Sequence, residues 1–198
     1  MKQKLIEAAL VQYSLHGYDG ATMRKIANEV GIKPASIYFF YKNKNELFIA
    51  AFQQLLESHF TKMKDIINDN RDKHVSEIFT ALLHGIVDHH KGDKEGTNAY
   101  ISLVTSPIPE IHTFLTKHML HFNTWLSQSL EQALKASYPS ISESDIDRTV
   151  KKYVLIGNGV FWGINLYEGE NFNEQVELGI ELLKSILVQL DEQYSEGS

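Results

Sequence analysis

The 198-residue sequence contains no cysteine, which excludes a disulfide scaffold, a thiol nucleophile and Cys-ligated zinc. Proline is scarce: Pro34, Pro107, Pro109 and Pro139 each fall where a helix should begin or a connection should lie. Long hydrophobic runs are also missing. The longest uncharged stretch, 153–167, is shorter than the roughly 20 residues of a membrane span and carries Asn158 and Asn165. Lys2 and Lys4 precede apolar residues, but Glu7 and Gln12 interrupt that stretch and no small-residue cleavage site follows, so it does not read as a signal peptide. The expectation is a cytoplasmic chain with no membrane partner.

Positive charge is in deficit overall. Nineteen Lys and Arg stand against 25 Asp and Glu, for a net charge of -6. Such a balance ordinarily argues against a nucleic-acid partner. Its distribution reverses the argument. Residues 1–50 carry seven basic and four acidic side chains, a net +3, and the remainder carries twelve against twenty-one, a net -9.

Helical periodicity dominates what is present, and no stretch alternates as a strand. The pattern predicts about nine helices. The first runs from Lys2 to His16, with Leu5, Ala8, Ala9, Gln12 and Leu15 on one stripe and Gly17 as its stop. Thr22 is placed to cap a short helix carrying Met23, Ile26, Ala27 and Val30 inward, which Gly31 ends. Pro34 suits the first turn of another short helix, through Tyr41. Asn43 and Glu46 are spaced as a capping box for a long helix from Lys44 toward Asn70. Later helices are expected over Val75–His90, Thr97–Ser106, Glu110–Ser137, Ser142–Tyr167 and Asn173–Gln193, with frayed residues from Ser195 to Ser198.

The sequence supports no enzyme and no cofactor. It has no carboxylate pair on a predictable scaffold, and Gly157-Asn-Gly159 lies mid-helix rather than in a phosphate-binding loop. The nine histidines include His118 and His121, three apart, and a cluster of His84, His89 and His90. No third ligand or second shell is specified, so no metal site is assigned.

Residues 22–41 read as helix, glycine turn, helix, framed by a helix on each side. That is helix-turn-helix geometry, in which the second short helix enters the major groove. Ile37 and Tyr41 would face inward, and Ala35, Ser36, Tyr38 and Phe39 outward. Two aromatics on the wet side of so short a helix call for something to cover them.

The stretch from Thr22 to Leu47 resembles the DNA-binding segment of TetR-family transcriptional repressors. The matching positions are Thr22, Ile26-Ala27, Gly31, Ile37-Tyr38, Tyr41, Lys42-Asn43-Lys44 and Leu47, with Ala8-Ala9 and His16-Gly17-Tyr18 upstream. Two departures stand out: Lys33-Pro34 replaces a frequent Ser-containing cap, and Phe40 replaces a hydrogen-bonding residue. The resemblance implies an all-α chain, with a three-helix helix-turn-helix domain over residues 1–47 and a helical effector-binding and dimerisation domain over 48–198. It implies a homodimer on a palindromic operator in double-stranded DNA, released by a small effector. Phosphate contacts fall to Thr22, Tyr38 and Lys44, and Arg24 could reach a base or a phosphate. Base reading falls to Lys33, Pro34, Ala35, Ser36 and Phe39, with Ala35 and Phe39 able to pack on thymine methyls.

The larger domain is less specific. Tyr100, Phe114, His118, Phe122, Trp125, Phe161 and Trp162 could line a largely apolar effector site. The run 153–167 is apolar nearly all round, and Gly159 and Gly163 lie one turn apart, as if another helix approached closely. The last helix offers Val176, Ile180, Leu183, Leu187 and Leu190. Gly159, Gly163, Ile180, Leu183 and Leu187 are therefore candidates for an intersubunit bundle, with an intrachain core pair as the alternative. A regulator with no small ligand, or one acting as an activator, fits the same residues.

Overall fold

Caps and breakers in the sequence fall close to the observed helix ends. The computed structural model describes residues 1–104 and 109–194. Among the described residues there are nine helices and no strand: α1 (Lys2–Gly20), α2 (Met23–Val30), α3 (Pro34–Ile37), α4 (Lys44–Asn70), α5 (Val75–Lys91), α6 (Lys94–Val104), α7 (Pro109–Ser137), α8 (Glu143–Leu166) and α9 (Gly169–Tyr194). Helix α1 breaks at Gly17, whose φ of 63° ends the regular helix where expected.

Three helices differ from expectation. Helix α3 ends at Ile37, because the Phe40 and Tyr41 N–H groups both return to the Ile37 carbonyl at 2.8 and 3.1 Å and fold 38–40 into a turn. Helix α6 starts at Lys94 rather than Thr97, with the Asp93 side chain accepting from the Gly96 N–H at 2.8 Å. Helix α9 starts at Gly169, four residues before Asn173. The expected helix end at Ser106, the break at Pro107 and the frayed Ser195–Ser198 lie outside the described residues.

The chain divides into two compact units. The first comprises Met1–Phe60 and Asp93–His121, the second Thr61–Gly92 and Phe122–Ser198. Helices α1–α3 thus share a unit with the start of α4 and with α6, and this unit extends well past residue 47. In it, α1 packs on α2 and α6, and α2 on α3. Its core holds Leu5, Ala9, Ile26, Ile37 and Leu47, joined from far along the chain by Ala99, Leu103 and Ile111. Tyr13 stands edge-on to Phe52, with ring centroids 4.8 Å apart, and tilted against Phe48 at 5.6 Å.

The second unit is built on α5, α8 and α9, which pack on one another. Phe79, Leu82, Tyr138, Tyr153, Leu183 and Leu187 fill its core. A Cβ on Gly179 would lie 3.1 Å from Val160 Cγ2 and 3.4 Å from Ile156 Cγ2. Glycine at that point lets α9 lie close against α8. The polar end of this unit is also fixed: the Tyr194 hydroxyl donates to Asp145 at 2.6 Å, and that of Tyr138 to Asp191 at 2.7 Å.

Candidate nucleic-acid interface

The interface is built by two short helices and the turn joining them. Thr22 holds extended backbone before α2, and its Oγ1 accepts from the Lys25 N–H at 3.2 Å. This satisfies one of the orphan donors at a helix start. Ile26 and Ala27 are wholly buried, leaving Arg24, Lys25, Asn28 and Glu29 on the wet side. Gly31 then turns the chain with φ 74° and ψ 31°. Nothing lies within 4 Å of where its Cβ would be, so backbone conformation and not room demands glycine there. Lys33 is extended, as a residue before proline prefers, and Pro34 opens α3.

Ile37 and Tyr41 are buried, as the spacing requires. Lys33, Pro34, Ala35, Tyr38 and Phe39 lie on the exposed side, and Ser36 is half-buried. Phe39 is 87% exposed and Tyr38 56%. Phe40 is half-buried and packs against the core of this unit, so the departure noted at that position supplies core packing.

The charge around this surface is positive. Arg24, Lys25, Lys33 and Lys42 are all exposed. Lys44 differs, being half-buried, with its Nζ donating to the Tyr18 carbonyl and standing 4.1 Å from the centre of the Tyr18 ring. Burial pulls its pKa below the ordinary lysine value, and Asp19 partly opposes that shift. Asn43 Oδ1 accepts from the Glu46 N–H at 2.8 Å. The Glu46 carboxylate reaches the Lys42 N–H at 2.7 Å, one residue upstream of the partner a capping box would use. On the other side of the motif, Gln12 Nε2 donates to Glu29 at 3.2 Å and ties α1 to α2. The arrangement offers a projecting aromatic ring with hydroxyls and cations around it.

The sequence of this region agrees with its shape. Residues 5–51 match the family model described as bacterial regulatory proteins, tetR family. The negative regulator IcaR of the Staphylococcus epidermidis biofilm operon icaADBC is 28% identical over 147 residues, covering 73% of this chain and 75% of that protein. The chain thus carries a tetR-family segment over residues 5–51. The regulator IcaR of Staphylococcus aureus strain Newman is 36% identical over 73 residues, 37% of each protein. Solved structures share the fold. A transcriptional regulator of Pseudomonas aeruginosa PAO1 aligns with a TM-score of 0.77 at 18% identity, over 96% of this chain and 90% of that one. The regulator FadR of Bacillus subtilis, in complex with stearoyl-CoA, aligns with a TM-score of 0.70 at 18% identity, over 92% and 97%. The matched segment is that of bacterial regulatory proteins, and the relatives named here are transcriptional regulators.

The effector candidates are divided between the two units. In the first, Phe114 and His118 have ring centroids 6.3 Å apart, and the Tyr100 hydroxyl donates to Met119 Sδ at 3.3 Å. Burial holds the His118 pKa below the ordinary histidine value, with Glu57 opposing it. Tyr100 is raised to about 12 by burial. In the second, Phe122 and Trp125 are half-buried with rings 5.8 Å apart. Trp162 is 42% exposed, on the outward stripe of α8.

The dimer candidates require correction. Leu183 and Leu187 are buried in the core of the second unit and present no surface to a partner. Gly163 is buried, where an added Cβ would lie 3.6 Å from Phe172 Cε2 and from Tyr167 Cδ2, and Ile180 is half-buried. Gly159 alone of the five faces open space, and the close helix approach occurs at Gly179 instead. The exposed apolar residues are others: Leu155, Trp162 and Leu166 on α8, and Leu178, Leu182 and Val188 on α9. Leu155, Trp162 and Leu166 recur at intervals of seven and four, and Leu178 and Leu182 at four, so this pattern was present in the sequence beside the stripe of α9 that enters the core.

Proposed function

We propose that this chain is a homodimeric repressor that binds a palindromic operator and leaves it when a small, largely apolar effector binds. The observation that carries this reading is the 87% exposure of Phe39, on a short helix flanked by exposed cations within a matched helix-turn-helix. Thr22, Tyr38 and Lys44 take phosphate contacts, Arg24 a base or a phosphate, and Lys33, Pro34, Ala35, Ser36 and Phe39 the base edges. Two such helices related by a two-fold axis would read half-sites about one helical turn apart.

Dimerisation falls to the outward stripes of α8 and α9. Leu155, Gly159, Trp162 and Leu166 recur at helical spacing on one, and Leu178 and Leu182 lie four apart on the other with Val188 further along, all exposed in the single chain. Several large apolar side chains left exposed on two helices suit an interaction site. The effector reading draws on solved relatives of the same fold, described with stearoyl-CoA and with choline. Within the first unit, Tyr100, Phe114 and His118 supply apolar and aromatic surface for such a molecule.

Selection of bound duplexes from a random pool tests the reading directly. A two-fold symmetric sequence should be enriched, and an effector that raises the melting temperature should also release it. Enrichment of an asymmetric sequence, or of none, would sink the homodimeric repressor.

A further inference from the structure

The recognition surface is chemically one-sided. Specific hydrogen-bond readout of DNA relies on Arg or Lys for guanine, Asn or Gln for adenine, and Asp or Glu for cytosine. Residues 34–41, Pro-Ala-Ser-Ile-Tyr-Phe-Phe-Tyr, contain none of these. Ile37 and Tyr41 are buried, and Phe40 and Ser36 are half-buried. What remains exposed along α3 and its turn is the Pro34 ring, the Ala35 methyl, the Phe39 ring and the phenol of Tyr38. Proline also lacks an N–H, so the first residue of α3 offers no backbone donor either.

An aromatic ring held in water is unfavourable unless an apolar partner covers it when bound. Phe40 next to it is half-buried against the core, so exposure of Phe39 is not forced by a shortage of core. In the major groove the one apolar feature of a base pair is the C5-methyl of thymine. The exposed cations of α2 beside this surface, Arg24 and Lys25, suit the phosphates of DNA, which leaves Lys33 as the one charged side chain next to the apolar contact.

We infer that the operator half-site is read through thymine methyl groups, with Phe39 stacked against at least one of them and Pro34 and Ala35 extending the same apolar contact. The inference rests on the DNA-binding reading above and specifies its chemistry. Specificity then depends on methyl contacts more than on hydrogen bonds, and half-site positions facing α3 must be A·T pairs with thymine on the contacted strand.

The test uses the full chain and the duplex selected from a random pool. Each thymine of a half-site is replaced in turn by uracil, which removes the methyl and leaves every Watson–Crick bond intact. For the wild type, at least one replacement should weaken binding about fourfold, the worth of one buried methyl group. The same replacement should leave Phe39→Ala unaffected, and Phe39→Ala should melt as the wild type does, because the ring is exposed. A guanine-dominated half-site, or tight binding insensitive to every uracil, would overturn the inference while the DNA-binding reading stood. Equal uracil sensitivity in wild type and Phe39→Ala would remove Phe39 from the contact. Failure of the pool to enrich any sequence would overturn the underlying reading, and the inference with it.

Discussion

Tyr38 and Lys44, both proposed for the phosphate backbone, differ in how free they are. Tyr38 is exposed, so Tyr38→Phe should weaken binding to all operator variants alike, by about 1 kcal/mol, and leave the melting temperature unchanged. Lys44 holds the Tyr18 carbonyl. Lys44→Ala should therefore lower both the melting temperature and the affinity, and anisotropy titrations beside thermal melts will separate the two variants. His90 carries a different prediction. It is buried in the second unit, edge-on to Phe161 with centroids 4.8 Å apart, and burial, with help from His89, pulls its pKa down to about 3. Above pH ~6.5 both folded and unfolded chains keep this ring neutral. Below it the unfolded chain gains a proton that the folded chain refuses, so stability falls as the pH drops toward 3. The slope should approach about 1.4 kcal/mol per pH unit in urea melts. His90→Gln should flatten it, and an unchanged slope would exclude His90 as the cause.

Among the elements, the glycine turn between α2 and α3 is the most constrained. Gly31→Ala meets no steric obstacle but must hold φ near 74°, and should cost about 1–2 kcal/mol in urea melts. Loss of less than a few tenths would show that the turn relaxes. This turn was legible in the sequence because its signals are local: a capping Thr22, a breaking Gly31 and a proline at the start of α3. The helix ends of α4, α5 and α8 were legible for the same reason. The faces of α9 were not. Val176, Leu183, Leu187 and Leu190 form one apolar stripe, while Leu178, Leu182 and Val188 are apolar on the opposite side, and periodicity cannot say which side meets the chain's own core. The close approach at Gly179 was hidden likewise, since it depends on Val160 and Ile156 of another helix. Glycine spacing pointed to Gly159 and Gly163, where only local pattern could be read. The early end of α3 escaped too, because its last residues turn back onto Ile37 while remaining apolar in sequence.

For the whole molecule, the proposed dimer would be held by the outward faces of α8 and α9. Leu155→Glu combined with Leu182→Glu should yield a monomer by sedimentation and weaken operator binding about a hundredfold or more, since one-armed binding loses the second half-site. A dimer that persists would place the interface elsewhere. The charge distribution bears on DNA binding at the same scale: the net +3 of residues 1–50 meets phosphate while the net -9 of the remainder repels it, so affinity should fall steeply with salt. The division of the chain into units also governs how it is made. The DNA-binding unit takes Ala99, Leu103, Ile111 and Leu115 into its core from a segment that ends at His121. As the chain leaves the ribosome, α1 to α3 emerge early yet must wait some sixty further residues for those side chains, several seconds at ordinary rates of synthesis. A nascent chain stalled at residue 60 should stay protease-sensitive, and one stalled after residue 121 has cleared the exit tunnel should resist.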